Sequence, residues 1–155
     1  MSNPLFGNRG TIDEVELGTS LSPKFDENGL IPCITTDANS GEVLMFAWMN
    51  DEALKRTIKT KKATYFSRSR NRLWLKGESS GLIQHVEKIL VDCDQDVIQI
   101  KVRVEGEGTC HQGYRSCFYR AVKDADNFEL EYVIDKPSFN PDEVYSKSSN
   151  TDIKK

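Results

Sequence analysis

Three aspartates alternate with other residues near the middle of the chain, in Val91-Asp-Cys-Asp-Gln-Asp96. If this segment is extended, alternate side chains point the same way, so Asp92, Asp94 and Asp96 project from one edge while Cys93 points opposite. Carboxylates held this close repel each other unless water or a cation surrounds them, and such oxygen ligands suit Mg²⁺ or Ca²⁺. The segment therefore predicts either a divalent cation site or a solvated acidic turn.

A second segment, residues 109–117, carries two cysteines seven positions apart and a histidine beside the first. With Cys93, the thiolates of Cys110 and Cys117 number one fewer than a closed structural zinc site usually takes. A zinc ion with three protein ligands keeps a position for water and makes hydroxide available at neutral pH, and His111 is then the obvious nearby base. The alternatives are that Cys110 and Cys117 are small core residues, or that His111 is a fourth ligand in a structural site.

Basic side chains are concentrated just before these motifs. Nine basic residues and no acidic one lie between positions 53 and 77, and residues 65–81 combine arginines with serines, glycines and aromatic rings. Arginine and serine bind phosphate oxygens by charge-assisted hydrogen bonds, glycines allow close backbone approach, and Trp74 could pack on a base. The segment predicts a nucleotide-like ligand, with a solvated basic face as the alternative.

Two other residues of potential chemical interest receive structural interpretations. Cys33 lies alone in an apolar run and is predicted to be a core residue. His85 and Glu87 form an H-x-E pattern found in zinc nucleobase deaminases, but the P-C-x-x-C segment that those enzymes also require is missing. His85 is therefore predicted to be a surface or edge histidine.

Length and charge limit the class of protein. A chain of 155 residues supports a single domain, and a net charge of −3 argues against general nucleic-acid affinity. No apolar run approaches the roughly 20 residues that span a bilayer, and the N-terminus does not resemble a secretory signal. We therefore expect a cytoplasmic protein without a membrane anchor, in which the cysteines are reduced rather than bridged.

The positioning elements are predicted to be short strands around one clear helix. Asn50 is a suitable cap for an amphipathic helix from Asp51 to about Lys61. Strands are predicted at 30–36, 43–49, 63–67, 73–75, 97–104, 117–122 and 130–134, while 85–91 is ambiguous. The predicted class is β-rich α+β with mostly antiparallel strands and one or two helices. We expect a variable N-terminal arm over 1–22, one compact domain over 23–135, and a flexible tail over 136–155.

Taken together, these segments resemble the phosphoribosyl-AMP cyclohydrolase family of histidine biosynthesis, over roughly Phe25 to Val122. The matching motifs, in the family's order, are Asp37-Ala-Asn-Ser-Gly-Glu-Val-Leu-Met-Phe-Ala-Trp-Met-Asn50, Ser67-Arg-Ser-Arg70, Leu73-Trp-Leu-Lys-Gly-Glu78, Asp92-Cys-Asp-Gln-Asp96 and Cys110-His-Gln-Gly-Tyr-Arg-Ser-Cys-Phe118. Phe66 stands where a tryptophan is common in the family. Several motifs in one order are much more specific than any one of them.

The resemblance implies a cofactor and a role for each motif. It implies that Asp92, Asp94 and Asp96 bind Mg²⁺ and that Cys93, Cys110 and Cys117 bind Zn²⁺. It also implies a homodimer in which one subunit supplies Cys93 and its partner the other two cysteines. Only about 30 residues follow Val122, so the chain resembles the monofunctional members that lack a second, pyrophosphohydrolase domain.

The expected reaction is hydrolysis of the N1–C6 bond of phosphoribosyl-AMP: zinc-activated water adds to C6 and the purine ring opens without release of ammonia. His111 would transfer protons, and two phosphates would be held by the magnesium site and by Ser67, Arg68, Ser69, Arg70, Lys76 and Arg115. Two alternatives stay open at this point. A zinc-dependent purine nucleotide deaminase would release ammonia, and a non-catalytic zinc-stapled module would bind nucleic acid in a salt-sensitive way.

Overall fold

A computed structural model describes residues 6–106, 108–126, 128–134 and 136–145 of the chain. Within these residues the elements are, in chain order, α1 (Ile12–Leu17), β1 (Ile31–Asp37), β2 (Val43–Met49), α2 (Asp51–Thr60), β3 (Thr64–Ser67), β4 (Arg72–Leu75), β5 (Gln84–Val91), β6 (Ile98–Val104), β7 (Arg120–Val122), β8 (Leu130–Tyr132) and α3 (Pro141–Tyr145). The ambiguous segment 85–91 is a strand. Helix α1 contains Ile12, Val15 and Leu17, and its start carries a capping box of Thr11 and Glu14.

Six of these strands form one mixed sheet in the order β4-β3-β2-β1-β6-β5. Neighbouring strands are antiparallel except for β1 and β6, which run parallel in the middle of the sheet with Cys33 opposite Ile98 and Asp37 opposite Val102. Strands β7 and β8 form a separate hairpin. The predicted β-rich α+β class with mostly antiparallel pairing is confirmed, but the described residues form three helices where one or two were expected.

The six-stranded sheet curls back toward its own first edge. Residues 61–63, which precede β3, bond to the start of β5 on one side, where Ala63 N donates to Gln84 O at 3.0 Å and Val86 N to Lys61 O at 2.8 Å. On the other side, Lys76 N donates to Ala63 O at 3.0 Å, just after β4. The edge strands β4 and β5 are thus tied together by one short piece of backbone.

Helix α2 covers this curved sheet and follows the prediction closely. The Asn50 side chain accepts from Ala53 N at 2.8 Å and caps the helix start. Leu54 and Ala53 are fully buried in the core, which also contains Cys33 as predicted. Burial raises the pKa of the Cys33 thiol to about 12, so this cysteine stays protonated and is a packing residue.

A chain of buried polar contacts fixes the register of the central strands. The Tyr65 hydroxyl lies 2.7 Å from Thr35 Oγ1 and donates to Gln84 Oε1 at 2.6 Å. Gln84 Nε2 in turn lies 3.3 Å from Met45 Sδ. Because each buried group has a partner, four strands (β1, β2, β3 and β5) are joined without an unsatisfied polar atom among these side chains.

The turn between β1 and β2 depends on one carboxylate. Asp37 Oδ1 accepts from Asn39 N and from Ser40 N, both at 2.9 Å, which is the turn that the Asp-Ala-Asn-Ser-Gly sequence predicts. The backbone hydrogen bond from Ser40 is the largest of several effects that lower the pKa of Asp37, and it outweighs the opposing effect of burial.

Replacing this carboxylate is therefore expected to give a pH-dependent loss of stability. A lowered pKa in the folded state means that ionised Asp37 stabilises the fold above its unfolded pKa of about 3.9, and this contribution disappears as pH falls through the folded value. We expect Asp37→Ala to lower the free energy of unfolding by about 1 kcal/mol at pH 7. Urea denaturation between pH 7 and pH 3 checks this, since the gap to wild type should narrow toward pH 3; a constant gap would contradict it.

The chain termini pack onto this framework where they are described. Helix α1 belongs to the predicted N-terminal arm, and Val15 in that helix is buried. Part of the predicted flexible tail is also described: Ser138 N donates to Gly113 O at 2.6 Å, and α3 follows. Residues 146–155, the remainder of that predicted tail, lie outside the described residues, and the flexibility of the tail stays a prediction.

Within the described ranges, none of the helices combines the length and apolar composition that crossing a membrane requires.

Candidate functional site

The three aspartates converge, although by a different route from the one expected. Residues 92–97 are a turn between β5 and β6 rather than an extended edge, with Gln95 at a left-handed φ of 58°. In this turn Asp92 Oδ1 accepts from Asp96 N at 3.0 Å and from Val97 N at 3.1 Å. One carboxylate oxygen from each of Asp92, Asp94 and Asp96 lies within 4.8 Å of the other two.

The closeness of these carboxylates shifts their pKa values. Hydrogen bonding with the Asp92 carboxyl, and then with that of Asp94, raises the pKa of Asp96 to about 6. Burial tends to raise the pKa of Asp92, but hydrogen bonds from Asp96 and Val97 outweigh it and the pKa lies below its ordinary value. The cluster thus retains a proton between carboxylates at mildly acidic pH, and three hard oxygen donors at this spacing fit a cation such as Mg²⁺ in place of that proton.

The segment Thr109–Cys117, which we call the cysteine loop, is held against β2 by its last three residues. Arg115 Nε lies 2.9 Å from Glu42 Oε1, Ser116 Oγ donates to Val43 O at 2.7 Å, and Cys117 N donates to Leu44 O at 2.7 Å. This attachment explains why the predicted strand from Cys117 is wrong at its start: the observed β7 begins at Arg120. The Cys117 N–H donates to Leu44 O in β2 and so is not available to a strand that starts at Cys117.

The first residue of the cysteine loop is held by a buried ammonium group. Lys76 is 6% exposed, its Nζ donates to Thr109 O at 2.7 Å, and the same atom lies 5.5 Å from the centre of the Trp74 ring. Inside the loop, Thr109 N and Cys110 N both donate to Tyr114 O at 3.0 Å. Lys76, predicted to hold phosphate, thus contacts the loop that carries the two cysteines.

This geometry predicts that Lys76 stabilises the fold, and that this role does not depend on substrate. Lys76→Met leaves a buried carbonyl without its donor, so we expect the free energy of unfolding to fall by about 2 kcal/mol. Urea denaturation measures the loss, and Lys59→Met, an exposed lysine on α2, should change stability by less than about 0.5 kcal/mol. An unchanged stability with a raised KM would instead support a direct phosphate contact.

The three cysteines assigned to zinc do not meet within one chain. Cys93 is exposed in the acidic turn, whereas Cys110 is buried and Cys117 half-buried in the cysteine loop. The aspartate triad is the single group of three or more His, Cys, Asp or Glu ligands found so close together in the described part of the chain, so the sulfurs form no such group there. Thiolate donors suit zinc, but the described chain does not by itself bring these three sulfurs together.

The predicted phosphate-binding segment lies at the β3–β4 turn. The Arg68 guanidinium carbon is 5.0 Å from the centre of the Trp48 ring, and Ser67 Oγ is 3.4 Å from Ser69 Oγ. A small cavity of about 40 Å³ lies between Arg68 and the surrounding aromatic rings, and its lining includes Phe46, Ala47, Trp48, Phe66 and Trp74. Arg70 is half-buried within this turn.

Other predicted residues differ in their surroundings. Trp74 is 6% exposed and packs 5.5 Å from the Tyr65 ring, which makes it mainly a core residue with one face toward the small cavity. His111 is exposed next to Cys110. His85 Nε2 lies 2.8 Å from Glu105 Oε2 at the start of β5, as expected of an edge histidine.

Sequence reasoning missed two side chains that contact the acidic turn. Gln95 is buried within the turn itself, and Arg9 Nη2 donates to Asp94 O at 3.0 Å from the N-terminal arm. The capping box of Thr11 and Glu14 predicts a helix start in this arm, but no local pattern links the arm to a turn more than 80 residues away.

Comparison with known proteins identifies the family of the chain. The family model for phosphoribosyl-AMP cyclohydrolase matches residues 45–119. A protein named phosphoribosyl-AMP cyclohydrolase from Rhodopseudomonas palustris strain BisB18 is 57% identical over 136 residues, covering 86% of this chain and 92% of the relative. A protein of the same name from Chlorobaculum tepidum is 56% identical over 140 residues, covering 90% of this chain and 99% of the relative. The chain therefore belongs to the phosphoribosyl-AMP cyclohydrolase family of hydrolases.

Proposed function

We propose that this chain hydrolyses the N1–C6 bond of phosphoribosyl-AMP, a step of histidine biosynthesis. The observation that carries the proposal is the 57% identity over 136 residues with a relative named phosphoribosyl-AMP cyclohydrolase. A phosphoribosyl group on N1 turns the adenine ring into an activated amidine, in which C6 is electrophilic and N1 is a good leaving group. Water adds its oxygen to C6, the N1–C6 bond breaks, N1 takes a proton, and the exocyclic nitrogen stays on C6 as a carboxamide.

We assign proton transfer in this reaction to His111. Its ring is exposed on the cysteine loop beside Cys110, where it can reach a bound ligand. The imidazole would accept a proton from the attacking water and deliver it to N1 as the ring opens. A zinc ion held by Cys93, Cys110 and Cys117 would supply Lewis-acid polarisation of that water.

We infer that the zinc ligands come from two subunits of a homodimer. The separation of Cys93 from the cysteine loop within one chain supports this inference. So does the β7–β8 hairpin that follows the loop, because a lone two-stranded hairpin is marginal in water and this one leaves large apolar side chains more than half exposed. These side chains are Phe118, Val122, Phe128, Leu130, Tyr132 and Val133. We also infer a cytosolic location, because the thiolates must stay reduced.

The two phosphates of the substrate would be held by separate groups. At the β3–β4 turn, Arg68 and Arg70 offer guanidinium donors and Ser67 and Ser69 offer hydroxyls. Arg115 could join them by exchanging Glu42 for a phosphate, because its ion pair with Glu42 is solvent-exposed and therefore weak. A magnesium ion on the aspartate triad would bind a phosphate oxygen, as Mg²⁺ commonly does.

The decisive experiment follows ring opening and ammonia together. Purified protein with Zn²⁺ and Mg²⁺ is incubated with phosphoribosyl-AMP, and we expect the ultraviolet spectrum to change without ammonia release. A zinc chelator that leaves the cysteine thiols intact should abolish the spectral change, and added zinc should restore it. Release of ammonia would indicate a deaminase, while no spectral change with both metals supplied would overturn the proposal.

A further inference from the structure

The Gln95 side chain bridges the acidic turn and the N-terminal arm. The residue is only 4% exposed, and its amide makes three hydrogen bonds, all to backbone atoms of the arm. Gln95 Oε1 accepts from Ser22 N at 2.8 Å, and Gln95 Nε2 donates to Val15 O at 3.0 Å and to Ser20 O at 3.2 Å. All the hydrogen-bonding capacity of the amide except one oxygen lone pair is thus used to hold the arm.

The backbone of Gln95 is in a conformation that glutamine does not favour. A φ of 58° lies in the left-handed region, where glycine or asparagine is the usual choice and other residues pay a steric cost. This bend brings Asp96 N and Val97 N onto Asp92 Oδ1, which sets the spacing of the triad. Glycine would make the same bend without strain, but only a long amide reaches the arm.

Two further contacts hold the arm, and Lys24 just after it, against the acidic turn. Lys24 N donates to Gln95 O at 2.8 Å. The Arg9 guanidinium donates to Asp94 O at 3.0 Å and to Ser22 O at 2.8 Å, so it touches both the turn and the arm. Undocking of the arm would therefore also break the hydrogen bond from Arg9 to Asp94 O.

We propose that Gln95 is a positioning residue that couples docking of the N-terminal arm to cation binding at Asp92, Asp94 and Asp96. The inference rests on the magnesium role given to the triad under the proposed function. An arm held by Gln95 fixes the bend that spaces the carboxylates, so arm docking favours the cation. By thermodynamic reciprocity, the bound cation favours arm docking.

The first measurement is cation affinity in the full-length protein loaded with zinc. Mg²⁺ is titrated by calorimetry, and Mn²⁺ by electron paramagnetic resonance. Gln95→Met keeps the length of the side chain and removes the amide. We expect this variant to bind the cation about 10- to 100-fold more weakly, as is typical when a group that orients metal ligands is lost.

A matched control makes the same chemical change elsewhere. Gln99 lies on β6, is half-buried, and donates to Thr36 Oγ1 at 3.2 Å, away from the arm. Gln99→Met should leave cation affinity unchanged within about twofold. Arg9→Ala removes the guanidinium contacts from an exposed position, and we expect about threefold weaker binding from a chain that folds normally.

The second measurement reports on the arm itself. Hydrogen exchange of residues 6–22 should slow when Mg²⁺ is added to the wild-type protein. In Gln95→Met the exchange should be faster than in wild type, and Mg²⁺ should have little effect on it. Gln99→Met should behave as the wild type does.

The outcomes separate this inference from the proposed function. If the wild-type protein binds neither Mg²⁺ nor Mn²⁺, the magnesium assignment is wrong and the coupling is wrong with it. If the wild type binds the cation and either Gln95→Met or Arg9→Ala binds it equally well, the coupling alone is wrong. Weaker binding in both variants, together with cation-dependent protection of the arm in the wild type, establishes it.

Discussion

Two inactive variants, Cys93→Ser and Cys110→Ser, are expected to regain activity when they are mixed and allowed to exchange subunits. Each variant alone should lose turnover, because every zinc site of the proposed homodimer would lack one thiolate. A heterodimer of the two has one site missing both thiolates and one site with all three. Random exchange of subunits makes half of the dimers heterodimers, and each heterodimer has one working site out of two. About a quarter of wild-type activity should therefore return.

The measurement is steady-state turnover, together with zinc content, before and after co-refolding of the two variants. Cys33→Ala is the matched control, because Cys33 is a core thiol and its loss should leave zinc content unchanged. A mixture of Cys110→Ser with Cys117→Ser is a second control. Both substitutions then fall on the same side of the shared site, and no activity should return. Failure of the first mixture to recover, with both variants folded and dimeric, would contradict a shared zinc site.

Gly77→Ala is expected to cause a large loss of stability. Gly77 has a φ of +94°, and an added Cβ would lie 2.5 Å from Ile83 N and 2.6 Å from Leu82 C. These neighbours are backbone atoms, so they can move only if the chain after β4 moves. We expect the free energy of unfolding to fall by about 3 kcal/mol or more, from steric overlap and an unfavourable φ together.

Urea denaturation measures this loss, and Gly41→Ala separates its two causes. Gly41 has a φ of +77°, but nothing lies within 4 Å of an added Cβ. It should therefore show only the backbone effect, about 1 kcal/mol. Because Gly77 follows Lys76, which holds Thr109, the Gly77 variant should also lose zinc affinity. Equal losses in the two glycine variants would contradict the steric argument.

The elements with a strong local pattern could be predicted from the sequence. Asn50, the acidic first turn and the basic last turn specify α2, and the alternation over 97–104 specifies β6. The cysteine loop has no such pattern: the sequence predicts a strand from Cys117, but the N–H of that residue bonds to Leu44 O in β2, more than 70 residues earlier. Local patterns carry no information on such a distant partner.

The residues of the candidate site also differ in how far the sequence alone predicts their role. The residue types at Asp92, Asp94 and Asp96 predict an acidic cluster whichever backbone conformation they adopt, which is why the triad was found although the segment is a turn. Lys76 was predicted to bind phosphate because it is basic and follows an arginine-rich segment. Its actual contact with Thr109 depends on burial by the fold, and a linear pattern does not reveal which charged groups end up buried.

The parallel pairing of β1 with β6 has a consequence for how the nascent chain acquires its structure. β1 can pair with β2 as soon as both leave the ribosome, because a short turn joins them. Its other edge, Cys33–Asp37, must wait for Ile98–Val102, which are synthesised more than 60 residues later. At a few residues to a few tens of residues per second, this edge stays uncovered for several seconds of translation. We expect chaperones that shield unpaired strand edges to bind the nascent chain during this interval.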